Sequence, residues 1–189
     1  MQRLDTRLDG LVLLAPVVHR DARGFFVETF RADGWAQAGV DAEFVQDNHS
    51  RSRRGTLRGM HFQTSPGQAK LLRCAHGAIL DAVVDLRRDS STFGAWEAHV
   101  LDDETCHELY VPIGFAHGFC VLSDAADVVY KCSTYYDAAT EGQLAYDDPD
   151  VGIEWPTDVQ LIVSERDRTA PRLAEIADSL PFTWAGSAP

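Results

Sequence analysis

The chain has 189 residues, of which 45% are hydrophobic, and no Ser/Gly/Pro-rich linker divides it, which favours a single domain over residues 1–189. Its formal net charge of −12 at pH 7 argues against nucleic acid or an anionic membrane as a partner, because a phosphate backbone is bound by a basic surface. No stretch approaches the ~20 apolar residues of a membrane span, and the first residues form no apolar signal segment, so we expect a cytoplasmic protein without a membrane partner.

The predicted secondary structure is a series of short strands. Apolar or alternating runs fall at 11–15, 25–30, 43–46, 70–74, 78–86, 96–101, 108–111, 119–122 and 128–135. The turn signals between them are Gly24, Gly55, Gly77, Gly94, Gly114 and the pair Asp148-Pro149. Such spacing is typical of an all-β sandwich or barrel. Helix is predicted only at 33–38 and 171–179.

The cysteines indicate a reducing compartment. They lie in segments that read as strands and form no Cys-x-x-Cys pair; they are Cys74, Cys106, Cys120 and Cys132. We interpret them as small buried hydrophobic residues rather than as disulfides or zinc ligands.

The most informative stretch is Leu57-Arg58-Gly59-Met60-His61-Phe62-Gln63, followed by Gln68-Ala69-Lys70. Removing a proton next to a carbonyl group requires a base with a pKa near neutrality and a group that stabilises the enolate. His61 as the base, with Lys70 facing the carbonyl oxygen, forms a coherent pair for this chemistry. The alternative is that His61 is a hydrogen-bonded histidine of the protein interior.

Five further segments place polar side chains between apolar ones. They span residues 21–28, 46–49, 112–119, 130–136 and 164–167. Together with the His61 stretch, and in this order, they resemble the dTDP-4-dehydrorhamnose 3,5-epimerase family of nucleotide-sugar epimerases, from about residue 10 to about residue 172. The segment Pro112-x-Gly114-x-x-His117 is also similar to the second half of the cupin signature. The resemblance therefore implies an all-β cupin jelly roll, a sandwich or barrel with a few short helices.

Cupins usually bind a metal through a His-x-His pair, an acidic residue and a later histidine, so a metal site at His61 and His117 has to be considered. Here Gln63 takes the place of the second histidine, and Lys70 stands where the acidic ligand is expected. A protonated ammonium group cannot coordinate a cation and repels it. The two remaining histidines fall short of the usual three or four protein ligands. We therefore expect neither a metal nor another cofactor.

The resemblance implies a role for each remaining site residue. The catalytic set would be His61 as the base, Asp167 as its partner, Tyr130 as the proton donor and Lys70 at the carbonyl oxygen. The substrate contacts would be Arg23 and Arg58 on the diphosphate, Tyr136 on the thymine ring, Glu28, Gln46 and Asn48 on the nucleotide, and His117, Glu141 and Arg166 elsewhere on the substrate. Arg166 stands where many family members carry lysine.

The implied activity is epimerisation of dTDP-4-dehydro-6-deoxy-D-glucose at C3 and C5 to dTDP-4-dehydro-L-rhamnose, by a homodimer. One alternative is a monoepimerase that acts at C3 or at C5 only. A metal-dependent cupin isomerase or oxygenase is a second alternative, which Gln63 and Lys70 disfavour. The third is a noncatalytic cupin that binds a nucleotide sugar, because fold alone does not determine function.

Overall fold

Strands dominate the computed structural model, which describes residues 1–40 and 42–184; Asp41 and residues 185–189 of the predicted domain lie outside the described residues. The strands are β1 (Gln2–Leu4), β2 (Val12–Ala15), β3 (Val18–Asp21), β4 (Gly24–Val27), β5 (Gln46–Arg53), β6 (Thr56–Gln63), β7 (Lys70–His76), β8 (Ala78–Asp85), β9 (Trp96–Asp102), β10 (Glu108–Val111), β11 (Phe115–Val121), β12 (Ala125–Cys132), β13 (Glu141–Gln143) and β14 (Ile162–Val163). The helices are α1 (Ala32–Gln37), α2 (Glu165–Arg168), α3 (Leu173–Ile176) and a 3₁₀ turn at Ala177–Ser179. The predicted all-β fold with a few short helices is confirmed.

Two sheets carry most of the strands. The first sheet has the order β1-β2-β10-β7-β12-β5, and the second has the order β13-β6-β11-β8-β9, with β14 parallel to β6. Strands β3 and β4 form a separate antiparallel hairpin. Neighbours in each sheet come from distant parts of the chain, as β10 does between β2 and β7, which agrees with the predicted jelly roll.

The inner faces of the two sheets are partly apolar and partly polar. Side chains alternate between the two faces of a strand, so every second residue points between the sheets. An apolar cluster from both sheets includes Leu72, Ile79, Leu109, Phe119 and Val128. Polar side chains continue the same inner faces and form the site described below.

The outer faces are covered by segments outside the sheets. Residues of the C-terminal segment, including Leu173, Leu180 and Phe182, pack on the second sheet. Trp35 of α1 and Val40 pack on the outer face of the first sheet. Among the described residues, no helix has the length and apolar composition needed to cross a membrane.

Most predicted elements have counterparts in the structure, with some corrections. The strand predicted at 43–46 is wrong except for Gln46, which begins β5. The strand predicted at 25–30 ends earlier, at Val27. Strand β6 is missing from the predicted strands, because its polar residues break the apolar pattern. The helix predicted at 33–38 is α1, and the one predicted at 171–179 is α3 with the 3₁₀ turn. The cysteines are all buried free thiols, as expected.

Two glycines allow β6 and β11 to approach each other beside the site. Gly59 has a φ of 136°, and a Cβ atom there would lie 2.5 Å from the Cα of Gly118. A Cβ atom on Gly118 would lie 2.8 Å from the carbonyl oxygen of Arg58 and 2.6 Å from the Sδ of Met60. Glycine at both positions is therefore required by the close approach of the two backbones.

We expect Gly118→Ala to lower the free energy of unfolding by about 1–3 kcal/mol, because the added methyl group forces β6 and β11 apart. Gly34→Ala is the matched control, since a Cβ atom there lies 3.9 Å from its nearest neighbour and Gly34 is helical. The control is expected to leave stability unchanged or to raise it by up to about 1 kcal/mol. Urea denaturation measures both, and equal effects of the two changes would contradict the close approach.

Candidate active site

A cavity of about 560 Å³ lies between the inner faces of the two sheets. Its wall includes many of the residues singled out in the sequence, namely Arg58, His61, Lys70, His117, Tyr130, Arg166 and Asp167. Other parts of the wall come from Ser50, Thr56, Leu57, Phe119, Ile162, Val163 and Ser164. The sheets thus bring together residues that are more than 100 positions apart in the chain.

Strand register explains this convergence. In the first sheet Lys70 lies opposite Cys132, and Tyr130 lies opposite Leu72, so Lys70 and Tyr130 share the inner face. In the second sheet His61 lies opposite His117. The two histidines therefore belong to one sheet, and the lysine and the tyrosine belong to the facing one.

His61 is paired with a buried carboxylate. Its Nε2 lies 2.6 Å from Oδ1 of Asp167, whose side chain is 5% exposed. The Gln143 amide donates to the same oxygen at 3.3 Å, and the backbone N–H of Gly59 lies 3.5 Å from the other. Burial acts to raise the pKa of Asp167, but the hydrogen bond and charge of His61, together with hydrogen bonds from Ser164 and Gly59, hold that pKa below its ordinary value. The carboxylate therefore stays ionised and can stabilise a protonated His61.

The short helix α2 carries Asp167 and positions its carboxylate. Ser164 is the N-cap of α2, and its hydroxyl accepts a hydrogen bond of 3.0 Å from the backbone N–H of Asp167. The sequence Ser164-Glu165-Arg166-Asp167 is thus a capped helical turn rather than a solvent-exposed loop. This turn fixes the position of the Asp167 side chain against β6.

The Lys70 ammonium lies beside the backbone of His61. Its Nζ is 3.4 Å from the His61 carbonyl oxygen, a long hydrogen bond that leaves donors for a ligand. Burial lowers the pKa of Lys70, while Cys132, Asp81 and Glu141 oppose this shift through their charges. The group is thus a donor in the same cavity as the candidate base.

A second histidine–carboxylate pair lies in the same cavity. His117 Nε2 is 2.8 Å from Oδ2 of Asp81, and the side chain of Asp81 is fully buried. Asp81 is not among the site residues predicted from the sequence. Its signal is the interruption of the apolar run 78–86 by an aspartate, because a charge in such a strand is retained only with a partner.

Tyr130 faces the histidines from the other sheet. The residue is partly buried, and burial raises the pKa of its phenol. Its proton is therefore retained at neutral pH, and the group can act as an acid. A candidate base and a candidate acid thus lie on opposite sides of one cavity.

A polar network lies close to the cavity. The Tyr136 hydroxyl donates to Glu141 at 2.8 Å, and Glu141 forms an ion pair with Arg166 at 2.5 Å. The Tyr136 backbone N–H donates to the Gln46 side chain at 2.9 Å, and Gln46 donates to Asn48 at 3.1 Å. Tyr136 remains 53% exposed, so its ring face is open to a ligand. Burial acts to raise the pKa of Glu141, but Tyr136 and Arg166 lower it overall.

Arg58 extends the polar surface along β6. Its Nε donates to the Ser52 hydroxyl at 3.0 Å, and the guanidinium forms no ion pair with the described residues. The remaining N–H groups are therefore available to a ligand at the cavity wall.

Six predicted substrate contacts do not line this cavity: Gln46, Asn48, Tyr136 and Glu141 belong to the polar network close to it, and Arg23 and Glu28 lie elsewhere. Arg23 lies at the turn of the β3–β4 hairpin, where it pairs with Asp21, and lines a different depression. Glu28 lines another one with Arg31. Within one chain, the structure does not bring these two residues to His61.

The histidines do not converge as metal ligands do. No group of three or more His, Cys, Asp or Glu side chains in the described part of the chain could hold a metal ion. Gln63 donates to the backbone oxygen of Asp137 at 2.9 Å and accepts from the Thr140 hydroxyl at 3.3 Å, so it stabilises a turn. The absence of a metal from the working protein stays a prediction.

We expect His61→Ala to raise the pKa of Asp167, because the hydrogen bond and the charge of His61, which counteract the effect of burial, are lost. A depressed pKa contributes stability above the unfolded-state value, and this contribution is lost as pH falls through the folded-state value. The stabilising contribution of Asp167 should therefore be lost at a higher pH in the variant than in the wild type. Carboxyl NMR titration and urea denaturation against pH measure the shift. His76→Ala, which removes an exposed histidine beside Asp103, should leave Asp167 unchanged; an unchanged Asp167 titration in His61→Ala would contradict the coupling.

The chain is similar to known epimerases over most of its length. A family model described as dTDP-4-dehydrorhamnose 3,5-epimerase matches residues 5–175. An enzyme of that name from Neisseria gonorrhoeae is 47% identical over 95% of this chain, and the chain spans 55% of the length of that protein.

Solved structures agree with this similarity. A dTDP-6-deoxy-D-glucose-3,5-epimerase from Legionella pneumophila in complex with dTDP-4-keto-L-rhamnose is 39% identical, with a TM-score of 0.94 over 98% of this chain and 99% of that chain. A 3′-monoepimerase from Streptomyces bikiniensis in complex with dTDP-quinovose is 41% identical, with a TM-score of 0.86 over 92% of this chain and 89% of that chain. This chain therefore belongs to the dTDP-4-dehydrorhamnose 3,5-epimerase family.

Proposed function

We propose that the protein epimerises dTDP-4-dehydro-6-deoxy-D-glucose at C3 and C5 to give dTDP-4-dehydro-L-rhamnose. The observation that carries the proposal is the His61–Asp167 pair facing Tyr130 across one cavity, with Lys70 beside it. Family membership supports the choice of a nucleotide sugar as the substrate. The 4-keto group acidifies both neighbouring carbons, so the proposed reaction requires no cofactor.

His61 removes the proton in this proposal. With Nε2 donating to Asp167, Nδ1 carries the lone pair that accepts a proton from the substrate. Asp167 then stabilises the imidazolium that forms. The negative charge that develops on the keto oxygen is stabilised by the Lys70 ammonium, a contribution that is large in a cavity shielded from water.

Tyr130 returns a proton from the other side. Inversion requires that the new C–H bond forms on the face opposite the one from which the base removed the proton. Tyr130 lies on the sheet that faces His61, and its raised pKa keeps the phenol protonated until the enolate is formed. A nearby cation, such as Lys70 or Arg58, stabilises the phenolate that remains.

The nucleotide is bound by local positive charge despite the net charge of −12. Arg58 offers a planar set of donors that suits phosphate oxygens. The exposed ring of Tyr136 provides a stacking surface for thymine, and Gln46 holds the Tyr136 backbone in place. Binding energy from this remote part of the substrate positions the sugar at His61.

Turnover in heavy water distinguishes the double epimerase from its alternatives. We expect dTDP-4-keto-6-deoxyglucose to acquire deuterium at both C3 and C5 with inversion at each carbon, as followed by NMR, also after chelation of metal ions. Deuterium at only one carbon after complete conversion would show a monoepimerase, the activity of the Streptomyces bikiniensis relative. Deuterium at neither carbon would show a binding protein. In Tyr130→Phe, exchange should persist while inverted product falls by about 10²–10⁴-fold.

Two substitutions separate the base from the phosphate contact. His61→Ala should abolish the exchange of substrate protons with solvent and leave dTDP affinity nearly unchanged. Arg58→Ala should weaken dTDP binding by about 10- to 100-fold, because a charge-assisted hydrogen bond is lost. Calorimetry with dTDP and the exchange assay measure the two effects. Near-normal exchange in His61→Ala would assign the base to another residue.

We also propose that the protein is a homodimer whose hairpins contribute to binding. The β3–β4 hairpin pairs with neither main sheet, and its aromatic residues Phe25 and Phe26 are 50% and 70% exposed. Arg23 lies at its turn. An exposed aromatic pair beside an arginine suits a nucleotide and the surface of a second copy. Docking of this hairpin on the partner would bring Arg23, and with it Glu28, towards a site that they do not reach in their own chain.

Mixing two inactive variants tests this arrangement. Arg23→Ala and His61→Ala should each be impaired alone, whereas a mixed dimer should regain about a quarter to a half of wild-type activity, because one of its two sites carries both intact residues. Mixing Arg58→Ala with His61→Ala is the control and should restore nothing, since both residues belong to the same chain's cavity. A monomer in solution, or no recovery of activity on mixing Arg23→Ala with His61→Ala, would contradict the proposed contribution of the hairpin to the partner's site.

The buried thiols support the proposed cytoplasmic location. All four cysteines are free, and burial raises the pKa of Cys74 to about 12 and that of Cys120 to about 11. These thiols remain protonated and unreactive at neutral pH. Unpaired thiols of this kind are usual in a reducing compartment.

A further inference from the structure

A second cavity, of about 330 Å³, lies on the outer face of the first sheet. Outward-facing residues of β5, β7, β10 and β12 line it, and its wall also includes Asn48, Leu72 and Tyr130, which hold inner-face positions of the same sheet. Leu71 and Val129 form apolar parts of its wall, and Thr29 closes one side. We call it the outer pocket; apart from Asn48 and Tyr130, its lining residues have no role in the proposed epimerase reaction.

Glu108 lines the outer pocket as a buried carboxyl group without a partner. The residue is 2% exposed, and neither side-chain oxygen has a hydrogen-bond partner among the described residues. Buried polar groups are nearly always hydrogen-bonded, and each exception requires an explanation. Glu108 lies inside the sheet and not at its edge, since it pairs with Leu14 on β2 and with Arg73 on β7.

Arg73 faces the same pocket with its guanidinium unpaired. It lies directly opposite Glu108 on the neighbouring strand, so the two side chains share one face. In the part of the chain that the structure describes, Arg73 forms no side-chain hydrogen bond and no ion pair. The other cation of the pocket, Lys131, is held by Asp47 at 2.9 Å.

We propose that the outer pocket binds the carboxylate group of a small organic acid. Arg73 donates N–H groups to the carboxylate, and the O–H of a protonated Glu108 donates to it as well. A short alkyl chain of the ligand packs against Leu71 and Val129. This arrangement satisfies both unpaired groups at once and matches the apolar wall.

The protonation of Glu108 predicts how binding depends on pH. Burial raises the pKa of Glu108 to about 8, although the charges of Arg73 and Lys131 act to lower it. Below that pH the carboxyl group is neutral and donates a hydrogen bond; above it, Glu108 repels a carboxylate ligand. Binding should therefore weaken as pH rises through about 8. The ionisable groups that line the pocket around Glu108 are Asp47, His49, Arg73, Tyr130 and Lys131.

Calorimetry of the full chain with butyrate tests the proposal, and n-butylammonium is the probe of opposite charge. We expect butyrate to bind at about pH 6.5 and to bind about tenfold more weakly at about pH 9, while the amine does not bind. Binding of the amine instead, growing tighter with pH, would overturn the proposal. So would the absence of butyrate binding, which would leave a direct Arg73–Glu108 ion pair or water as the occupant.

Three variants locate the bound butyrate. Arg73→Met should weaken binding by about 10- to 100-fold. Glu108→Gln keeps a donor of the same shape, so it should retain binding and lose the pH dependence. Arg53→Met removes an exposed arginine of β5 outside the pocket and should change nothing. Equal affinity in Arg73→Met and Arg53→Met would overturn the site, provided that urea denaturation shows both variants folded. No dTDP-sugar is used, so the result is independent of the epimerase activity.

Discussion

The buried carboxylate of Asp167 is the constraint on which the site depends. Removing a carboxylate from water costs several kcal/mol, and donors placed around it must offset that cost. Here they come from the His61 side chain and the Gly59 backbone on β6, and from Gln143 on β13. Helix α2 can therefore dock only where these strands have already paired. The His61–Asp167 pair is thus a product of the complete fold, not of any local segment.

A second carboxylate of the site is also buried between the two sheets and is also paired with a histidine. His117 pairs with Asp81 inside a face whose neighbouring positions, Ile79 and Val83, belong to the apolar core. One oxygen of Asp81 has no hydrogen-bond partner among the described residues. An unsatisfied group of this kind costs about 1–3 kcal/mol, a cost that proteins usually accept at functional sites. The apolar cluster at the remaining inner positions supplies the stability that the polar end lacks.

Sequence patterns and the family resemblance predicted the fold and half of the residues of the cavity wall, and the failures have physical reasons. Strand β6 escaped notice because inward polar residues at a site remove the period-two apolar signal that defines a strand. Asp167 was assigned through the family resemblance alone, since a four-residue helix has no periodicity and only the Ser164 cap marks it. The sequence indicates Asp81 only as a charged residue that interrupts the apolar run 78–86. The positions of Arg23 and Glu28 could not be predicted from one chain, because a hairpin outside both sheets takes its position from tertiary or quaternary contacts.

Strand β12 shows how far a single register determines two different environments. Tyr130 lines the candidate active-site cavity and reaches the outer pocket, whereas its neighbours Val129 and Lys131 line the outer pocket alone. A shift of one residue would exchange the two faces, so the pairing that forms one site also forms the other. The chemistry of the two faces nevertheless differs. Asp167 and Asp81 each pair with a histidine, whereas Glu108 has no hydrogen-bond partner among the described residues. A buried carboxyl group without a partner in the described part of the chain is explained by a ligand from outside it.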